Sequence, residues 1–348
     1  MPIIVLTDVE MNIMQSVRPE LEALGDILVV EDEKEETLVR AVADADLLVI
    51  CYAPVTRKVI EAGKNLKAIL KWGVGVDSID FEAANERGLP VCHCPMYGCG
   101  TIADHAFAML IALARKLVPL VNDTRRRGWI WPDPSRKWAG MDLEGKVVGI
   151  IGLGRIGKKM ARRCHGFDMQ VIAYDPLQVQ RDLPPELGFI EQVELDDLLE
   201  RSDFVSQHAV LNKETRNLIS AREIGLMKPS AYLINTARGA LVHESSLVAA
   251  LSERRIAGAA IDVFDLEPLD ITHPYFSLDN ILVTPHFAYY TEEADDRLDR
   301  ECLYSARRIL NGETLVNVKN GDILESMGTV IDRLPYGELP YNLNPHSA

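Results

Sequence analysis

Three glycines in the middle of the chain have the spacing of a phosphate-binding turn. Gly152, Gly154 and Gly157 follow the apolar run 146–151 and precede a segment with helical periodicity. In such a strand–turn–helix unit the first glycine permits a tight turn and the second lets the backbone approach a pyrophosphate. The third lets the helix pack on the strand. The spacing predicts a dinucleotide site at a helix N-terminus, with Arg155 and Ile156 of the motif among the binding residues.

An acidic residue ends the next predicted strand. Asp175 follows the run 170–174, in the segment after Gly157 where this kind of unit places its acid. A carboxylate at that point accepts hydrogen bonds from ribose hydroxyls and repels a 2′-phosphate. No arginine directly follows it. The predicted cofactor is therefore NAD rather than NADP.

Three more polar residues come directly after buried runs: Arg238, Glu267 and His286. Ligands of an open parallel sheet bind at the carboxyl ends of its strands. An arginine can hold a carboxylate bidentately, a histidine can exchange a proton near neutral pH, and a glutamate beside it fixes its ring. Taken singly, these residues could instead form an ion pair, cap a turn or lie in a loop. Together with NAD, they are the groups needed to reduce a 2-oxo acid.

The elements that must position these residues alternate along the chain. Short β-rich runs and helical segments succeed one another through the first hundred residues and again from Lys146 to about His286. This order is typical of α/β proteins with parallel sheets. Between the two series, Thr101–Val121 is predicted to be one long, mostly buried helix that bridges two domains. A loop containing Pro132 and Pro134 follows it.

We predict two Rossmann- or flavodoxin-like parallel-sheet domains with a cleft between them. The last predicted helix, near Glu292–Asn311, could return to the first series, which makes the outer domain discontinuous. The substrate domain is then residues 1–100 and 292–348, and the NAD-binding domain is residues 101–291. The tail from Gly321 has weak periodicity and is expected to be an extension that is frayed or ordered only by contact.

Composition excludes several classes of function. The 348 residues include 37 Lys and Arg against 52 Asp and Glu, a net charge of −15. No basic stripe is visible, so nucleic acid is not an expected partner. The longest apolar run, Ala106–Ala114, is too short to cross a bilayer. The N-terminus does not resemble a signal peptide, so no membrane partner and a cytoplasmic location are expected.

The six cysteines are expected to be reduced thiols that pack as small hydrophobic residues. Cys92, Cys94 and Cys99, with His93 and His105 nearby, could suggest a metal site. However, His93 points to the opposite face of a strand from its two neighbours, so no metal is predicted.

Several motifs in one order resemble the D-isomer-specific 2-hydroxyacid dehydrogenases over about residues 45–318. Besides the glycine motif, they are Gly73-Val-Gly-Val-Asp-Ser-Ile-Asp80, Ala103-Asp-His-Ala106, Asn235-Thr-Ala-Arg-Gly239, Asp262-Val-Phe-Asp-Leu-Glu-Pro268 and Thr284-Pro-His286. The resemblance implies that Arg238 binds and polarises the substrate, that His286 is the acid/base and that Glu267 is its partner.

The resemblance also implies binding roles elsewhere. The N–H groups of Val74 and Gly75 would hold the substrate carboxylate, Asp262 would meet the nicotinamide amide, and Thr101 would lie near the cofactor phosphates. A homodimer is expected, formed through the bridging helix and the tryptophan-rich loop that follows it. The predicted cofactor-binding set also includes His208, Thr236 and Ala237.

Departures from the family pattern refine the resemblance. Formate dehydrogenases of the same superfamily have glutamine where this chain has Glu267. The segments His208–Asn212 and Phe287–Tyr290 are similar to the branch that holds the C-terminal-binding-protein corepressors and their bacterial enzyme relatives. That branch places an aromatic side chain against the substrate at the position of Tyr289. Because this branch includes corepressors, a second hypothesis stays open, namely that the protein is an NAD-sensing scaffold with little or no turnover.

Two other side chains are candidates for the substrate pocket. Lys71 precedes the glycine turn and could pair with a second acidic group of the substrate, or it could be a solvated lysine at a strand end. Tyr52 belongs to a loop expected to face the cleft. Our main hypothesis is an NAD-dependent D-2-hydroxyacid dehydrogenase. Glyoxylate, hydroxypyruvate, 3-phosphohydroxypyruvate, sulfopyruvate and aromatic oxo acids all remain open as substrates.

Overall fold

A computed structural model describes residues 1–177 and 183–332, and the chain divides into two compact units. The split unit consists of Met1–Gly98 and Thr291–Ala348, and the continuous unit consists of Cys99–Tyr290. Each unit has its own parallel sheet. This confirms the predicted α/β class with two parallel-sheet domains.

The strands are β1 (Ile3–Leu6), β2 (Asp26–Val29), β3 (Leu47–Ile50), β4 (Ala68–Lys71), β5 (Val91–Cys92), β6 (Val147–Ile151), β7 (Gln170–Tyr174), β8 (Ile190–Gln192), β9 (Phe204–Gln207), β10 (Tyr232–Asn235), β11 (Gly258–Ile261), β12 (Ile281–Val283), β13 (Leu315–Val316) and β14 (Ile331–Asp332).

The α-helices are α1 (Arg18–Glu22), α2 (Glu35–Val42), α3 (Arg57–Ala62), α4 (Phe81–Arg87), α5 (Cys99–Ala114), α6 (Leu117–Arg127), α7 (Arg155–His165), α8 (Leu195–Arg201), α9 (Ala221–Leu226), α10 (Glu244–Ser252), α11 (Glu292–Asn311) and α12 (Gly321–Ser326). Short 3-10 helices cover Val9–Met11, Gln15–Val17, Pro185–Leu187, Gly239–Leu241 and Pro274–Ser277.

The sheet of the split unit has the strand order β2-β1-β3-β4-β5, with all strands parallel. Every residue of β3 and β4 is buried, because helices cover both faces of a parallel sheet. Helix α11 contacts β3 and β4 and so belongs to this unit. It begins after Thr291, whose hydroxyl accepts the N–H of Ala294, and ends at Gly312 in the left-handed conformation.

The sheet of the continuous unit has the order β12-β11-β10-β9-β6-β7-β8, again all parallel. Strand β6 pairs with β7 on one side and with β9 on the other, so the chain changes direction across the sheet at β6. A crevice forms at such a switch point, outside the carboxyl ends of the strands. The glycine turn that follows β6 lies at this point.

The prediction of a single helix over Thr101–Val121 is wrong. Helix α5 ends at Ala114, Lys116 takes the left-handed conformation with φ +49°, and α6 then continues to Arg127. Pro119 explains the break, since a proline has no N–H to donate and its ring clashes with the carbonyl four residues before it. In the first turn of a new helix the same proline is tolerated.

The tail is more ordered than the sequence predicts. Residues Gly321–Ser326 form α12, and Ile331–Asp332 pair in parallel with Leu315–Val316. The rest of the predicted extension, residues 333–348, lies outside the described residues. Within residues 1–177 and 183–332, no helix combines the length and the apolar character that crossing a bilayer requires.

Candidate functional site

The glycine turn after β6 is shaped by two close backbone approaches and one open position. A Cβ on Gly157 would lie 2.0 Å from the Gly152 carbonyl oxygen, and a Cβ on Gly152, where φ is +95°, would lie 2.7 Å from the Ala209 nitrogen. Both positions therefore exclude any side chain. A Cβ on Gly154 would meet nothing within 4 Å, and Gly154 is the exposed N-cap of α7. The space that this Cβ would fill, at the N-terminus of α7, fits a pyrophosphate.

Asp175 lies beside this turn. It follows β7, and its Oδ2 accepts the N–H of Leu153 at 2.8 Å while its Oδ1 accepts the N–H of Leu177 at 2.9 Å. The carboxylate is thus fixed next to the glycine turn by two backbone donors. This position fits the predicted contact with ribose hydroxyls.

Residues at the ends of β9 and β10 complete the polar edge of the sheet. The Thr236 hydroxyl is buried and has no hydrogen-bond partner within the described residues. Such an orphaned group fits a ligand that supplies the missing partner. The His208 Nε2 lies 2.9 Å from the Ser206 hydroxyl, and burial lowers the pKa of His208 to about 4, so its imidazole is neutral. Together with the glycine turn and Asp175, these residues fit NAD.

Arg238 is positioned by the end of β10. The Asn235 amide donates to the Arg238 carbonyl at 2.8 Å and accepts the N–H of Ala237 at 3.0 Å, which clamps the short turn between them. A Cβ on Gly239 would lie 1.9 Å from the Phe264 carbonyl carbon, so a glycine is required there. This close approach brings the Arg238 segment against the start of the loop that carries Glu267.

Glu267 and His286 form a pair. The His286 Nδ1 lies 2.7 Å from Glu267 Oε2, and Glu267 Oε1 accepts the N–H of Phe264 at 2.8 Å. Burial alone would raise the pKa of Glu267. The hydrogen bond and the charge of His286 outweigh burial, so the pKa lies below its usual range. The carboxylate is therefore ionised at neutral pH and orients the imidazole.

Asp262 supports the segment that carries the histidine. Its carboxylate is fully buried and accepts the N–H groups of Phe287 and Ala288, each at 2.9 Å, and the hydroxyl of Thr284. The His105 Nε2 of α5 lies 3.2 Å from the same hydroxyl. Asp262 thus positions the backbone around His286, while its predicted contact with the nicotinamide amide stays a prediction.

Other predicted residues of the continuous unit lie as follows. The ring of Tyr289 packs edge-on at 6.4 Å from the ring of His286. Ala237 is part of the turn clamped by Asn235. Arg155 and Ile156 begin α7, and Thr101 lies in the first turn of α5.

The split unit holds the remaining predicted substrate residues. Val74 and Gly75 belong to the turn after β4, and Lys71 is the last residue of that strand. Lys71 is buried, donates a hydrogen bond to the Cys51 carbonyl, and lies 4.8 Å from the ring centre of exposed Tyr52. The alternative of a solvated strand-end lysine is therefore wrong. Substrate contacts of these four residues stay predictions.

The cysteines lie in packed surroundings. All six are buried free thiols, and burial raises the pKa of Cys92 to about 12. The His93 Nδ1 faces the Val74 carbonyl at 3.2 Å. The described part of the chain contains no group of side chains arranged to hold a metal ion.

Sequence reasoning assigned no role to Asn235, Thr284 or His105. Each is a polar residue in a motif already singled out, and Asn235 ends a buried strand. Its place at the end of a buried strand is the sequence feature that could have identified Asn235 as a site residue. The partners of Thr284 and His105 depend on how α5 packs on the sheet.

Comparisons with known proteins agree with this geometry. Residues 107–288 match the family model described as D-isomer specific 2-hydroxyacid dehydrogenase, NAD binding domain. A glyoxylate reductase of Thermofilum pendens is 38% identical over 291 residues, which are 83% of this chain and 86% of that protein. A D-3-phosphoglycerate dehydrogenase of Methanocaldococcus jannaschii is 36% identical over 301 residues, which are 86% of this chain but only 56% of that longer protein.

Among solved structures, a D-lactate dehydrogenase from Aquifex aeolicus in complex with NAD and lactic acid is similar. Its TM-score is 0.80 at 27% identity, and the match covers 89% of this chain and 96% of that chain. The likeness therefore extends over both units.

Proposed function

Because this chain belongs to the D-isomer-specific 2-hydroxyacid dehydrogenases, a family of NAD-dependent oxidoreductases, we propose that it interconverts a small 2-oxo acid and its D-2-hydroxy acid. The observation that carries the proposal is the pair of His286 Nδ1 and Glu267 Oε2 at 2.7 Å. The pair lies in the same unit as a glycine turn suited to NAD and the clamped turn of Arg238. These are a proton donor, a cofactor site and a carboxylate anchor.

The residues that would hold NAD are Gly154 at the pyrophosphate, Asp175 at the ribose, and Thr236 through its orphaned hydroxyl. Bound NADH supplies the hydride that reduces the carbonyl carbon. The protein must then hold the oxo acid in position and deliver one proton to its oxygen.

His286 delivers that proton. Its Nδ1 carries a hydrogen because it faces the ionised Glu267, so Nε2 is the nitrogen that gives its proton to the carbonyl oxygen. The Glu267 carboxylate stabilises the imidazolium before the transfer. In the reverse direction the neutral imidazole takes the proton from the hydroxyl group.

Arg238 would bind the substrate and polarise its carbonyl. A protein with a net charge of −15 does not attract an anion through its overall field, so local cations and N–H groups must do so. Lys71 and the N–H groups of Val74 and Gly75 are the other proposed groups. Tyr289, edge-on to His286, is the proposed aromatic contact with the substrate.

The test follows the oxidation of NADH against a panel of 2-oxo acids, including glyoxylate, hydroxypyruvate and 3-phosphohydroxypyruvate. We expect turnover of at least one acid, and a loss of about 10²-fold or more in kcat for His286→Ala. The matched control is His243→Ala, an exposed histidine of the same unit. Tight NADH binding without turnover of any acid would overturn the proposal and favour the cofactor-sensing scaffold, which the enzymes matched here do not support.

We also infer a cytoplasmic homodimer. The supporting surface is the exposed apolar residues of α6 and the loop after it, where Leu117, Val118 and Val121 are partly exposed and Trp129 and Trp131 are 86% and 72% exposed. A second copy of the chain that covers this surface removes its apolar area from water, which favours the dimer. Sedimentation of the wild type beside Val118→Glu tests the inference, since a dimer that uses this surface should dissociate in the variant. A wild-type protein that sediments as a monomer would overturn it.

A further inference from the structure

The turn that follows β4 is tied to the last long helix through a tryptophan. Trp72, which directly precedes Gly73, Val74 and Gly75, is only 5% exposed. Its indole Nε1 donates to Asp299 Oδ1 of α11 at 2.6 Å. Both residues belong to the split unit, although they are 227 positions apart in the sequence.

Asp299 is itself fixed from another direction. Its Oδ1 also accepts the N–H of Met14 at 3.1 Å, and its Oδ2 accepts the N–H of Ser16 at 2.9 Å. The side chain is 5% exposed, so this carboxylate is buried and satisfied by three N–H donors. Hydrogen bonds to a charged acceptor are stronger than neutral ones. The indole is therefore anchored to a rigid point.

The opposite side of the turn is also fixed. The Cys94 N–H donates to the Gly73 carbonyl at 2.8 Å, and the His93 Nδ1 lies 3.2 Å from the Val74 carbonyl. Gly73 has a φ of +130°, which a glycine adopts without strain. Both carbonyls of the turn thus point toward the segment after β5.

Peptide geometry then sets the direction of two N–H groups. In a trans peptide the carbonyl of one residue and the N–H of the next point in opposite directions. Since the carbonyls of Gly73 and Val74 point toward residues 93 and 94, the N–H groups of Val74 and Gly75 point away from them. Two adjacent N–H donors on one side of a turn form a concave site for an anion.

We propose that Trp72 and Asp299 are positioning residues for substrate binding, because they hold the turn whose N–H groups take the substrate carboxylate. The inference rests on the proposed function for the identity of that substrate. Neither side chain is proposed to touch the substrate. Loss of the indole bond lets the turn shift, and small shifts of a binding group weaken binding markedly.

The test separates KM from kcat. Trp72→Phe removes the N–H donor and keeps an aromatic ring, and Asp299→Asn removes the charge from the acceptor. The carboxylate is bound both before and during reaction, so we expect KM for the oxo acid to rise about 10-fold with kcat changed less than about 3-fold. The Kd for NADH should stay unchanged, because the turn and the glycine motif lie in different units.

The matched control is Glu293→Gln. Glu293 is an exposed residue of the same helix α11, and this variant should leave KM for the oxo acid at the wild-type value. Thermal unfolding and circular dichroism show which variants are folded. If Asp299→Asn does not fold, Trp72→Phe alone tests the inference. A wild-type KM in folded Trp72→Phe overturns the inference.

Failure of the proposed function gives a different result. In that case the wild type turns over no oxo acid, and the inference is judged by calorimetric binding of oxalate to the NADH-loaded protein. Weaker binding of oxalate by Trp72→Phe than by Glu293→Gln supports the positioning role. Equal binding by the two variants, or no binding of oxalate by the wild type, overturns it.

Discussion

The backbone N–H of His286 donates to the Asp262 carbonyl at 2.7 Å, and His286 holds a φ of +58°. This left-handed conformation costs a residue with a side chain about 1 kcal/mol or more. The Asp262 carboxylate offsets the cost by accepting the next two backbone N–H groups. The direction of the proton-donating ring is therefore set by the buried Asp262 as well as by Glu267.

Asp262→Asn should impair both stability and turnover. The variant replaces one carboxylate oxygen by an NH₂ group, which then faces the backbone N–H of either Phe287 or Ala288 in place of an acceptor. A buried mismatch of this kind costs about 1–3 kcal/mol, and we expect kcat to fall about 10-fold or more as the His286 segment relaxes. Urea unfolding and steady-state kinetics measure the two effects. The exposed Asp265→Asn is the control, and wild-type values for Asp262→Asn would contradict the positioning role.

Glu267→Gln should change the pH dependence of turnover. Ionised Glu267 stabilises the protonated imidazole of His286, and reduction of the oxo acid needs that protonated form. The lowered pKa of Glu267 keeps the carboxylate ionised until the pH falls below its usual range. Without this charge, the decline of kcat for oxo acid reduction at alkaline pH should begin at a lower pH than in the wild type. The maximal kcat should also fall about 10–100-fold.

The control for this profile is Glu244→Gln. Glu244 makes a similar pair with His273, with 2.9 Å between Oε1 and Nε2, and neither residue is among those proposed to touch NAD or the substrate. Its pH profile should match that of the wild type. An unshifted alkaline limb in Glu267→Gln would show that the carboxylate does not act through the histidine.

Two glycine variants should separate cofactor binding from folding. Gly154→Ala adds a methyl group that meets no protein atom within 4 Å, so the apoprotein should keep its melting temperature. The methyl group would occupy the space proposed for the pyrophosphate, so the Kd for NADH should rise about 10-fold or more. Gly157→Ala would place a methyl group 2.0 Å from a carbonyl oxygen and should fail to fold normally. Unchanged NADH affinity in Gly154→Ala would place the pyrophosphate elsewhere.

Asp295→Asn should stabilise the protein at neutral pH. Burial and the charge of Asp299 raise the pKa of Asp295 from 3.8 to about 6. A carboxyl group with a raised pKa adds to the free energy of unfolding while it is protonated, below its ordinary pKa. This stabilisation is lost as the pH rises through about 6, because the folded protein must then hold the charged form. The variant should therefore gain on the order of 1 kcal/mol above that pH, after allowance for partial solvent screening. Melting temperatures near pH 5 and about pH 8 measure the gain. Equal differences from the wild type at both pH values would contradict the shift.

The order of strands and helices, the glycine turn and Asp175 were predictable from the sequence. These features were predictable because they depend only on residues that are close together in the sequence. This holds for the glycine spacing, for alternating apolar runs and for an acid at the end of a strand. The break at Lys116 was also encoded locally, by Pro119, but the continuous apolar pattern across Thr101–Val121 concealed it. The residue types of Arg238, Glu267 and His286 were recognisable because each follows an apolar run of the sequence.

Only the tertiary structure decided which side chains meet. The contact of Trp72 with Asp299 joins residues 227 positions apart, and its existence depends on the return of α11 to β4. The left-handed backbone of His286 depends on the buried carboxylate of Asp262, at the end of a neighbouring strand. Sequence patterns state which face of an element is apolar. They do not state the register and packing that bring a donor within 3 Å of its acceptor, because that distance is set by every element between the two residues.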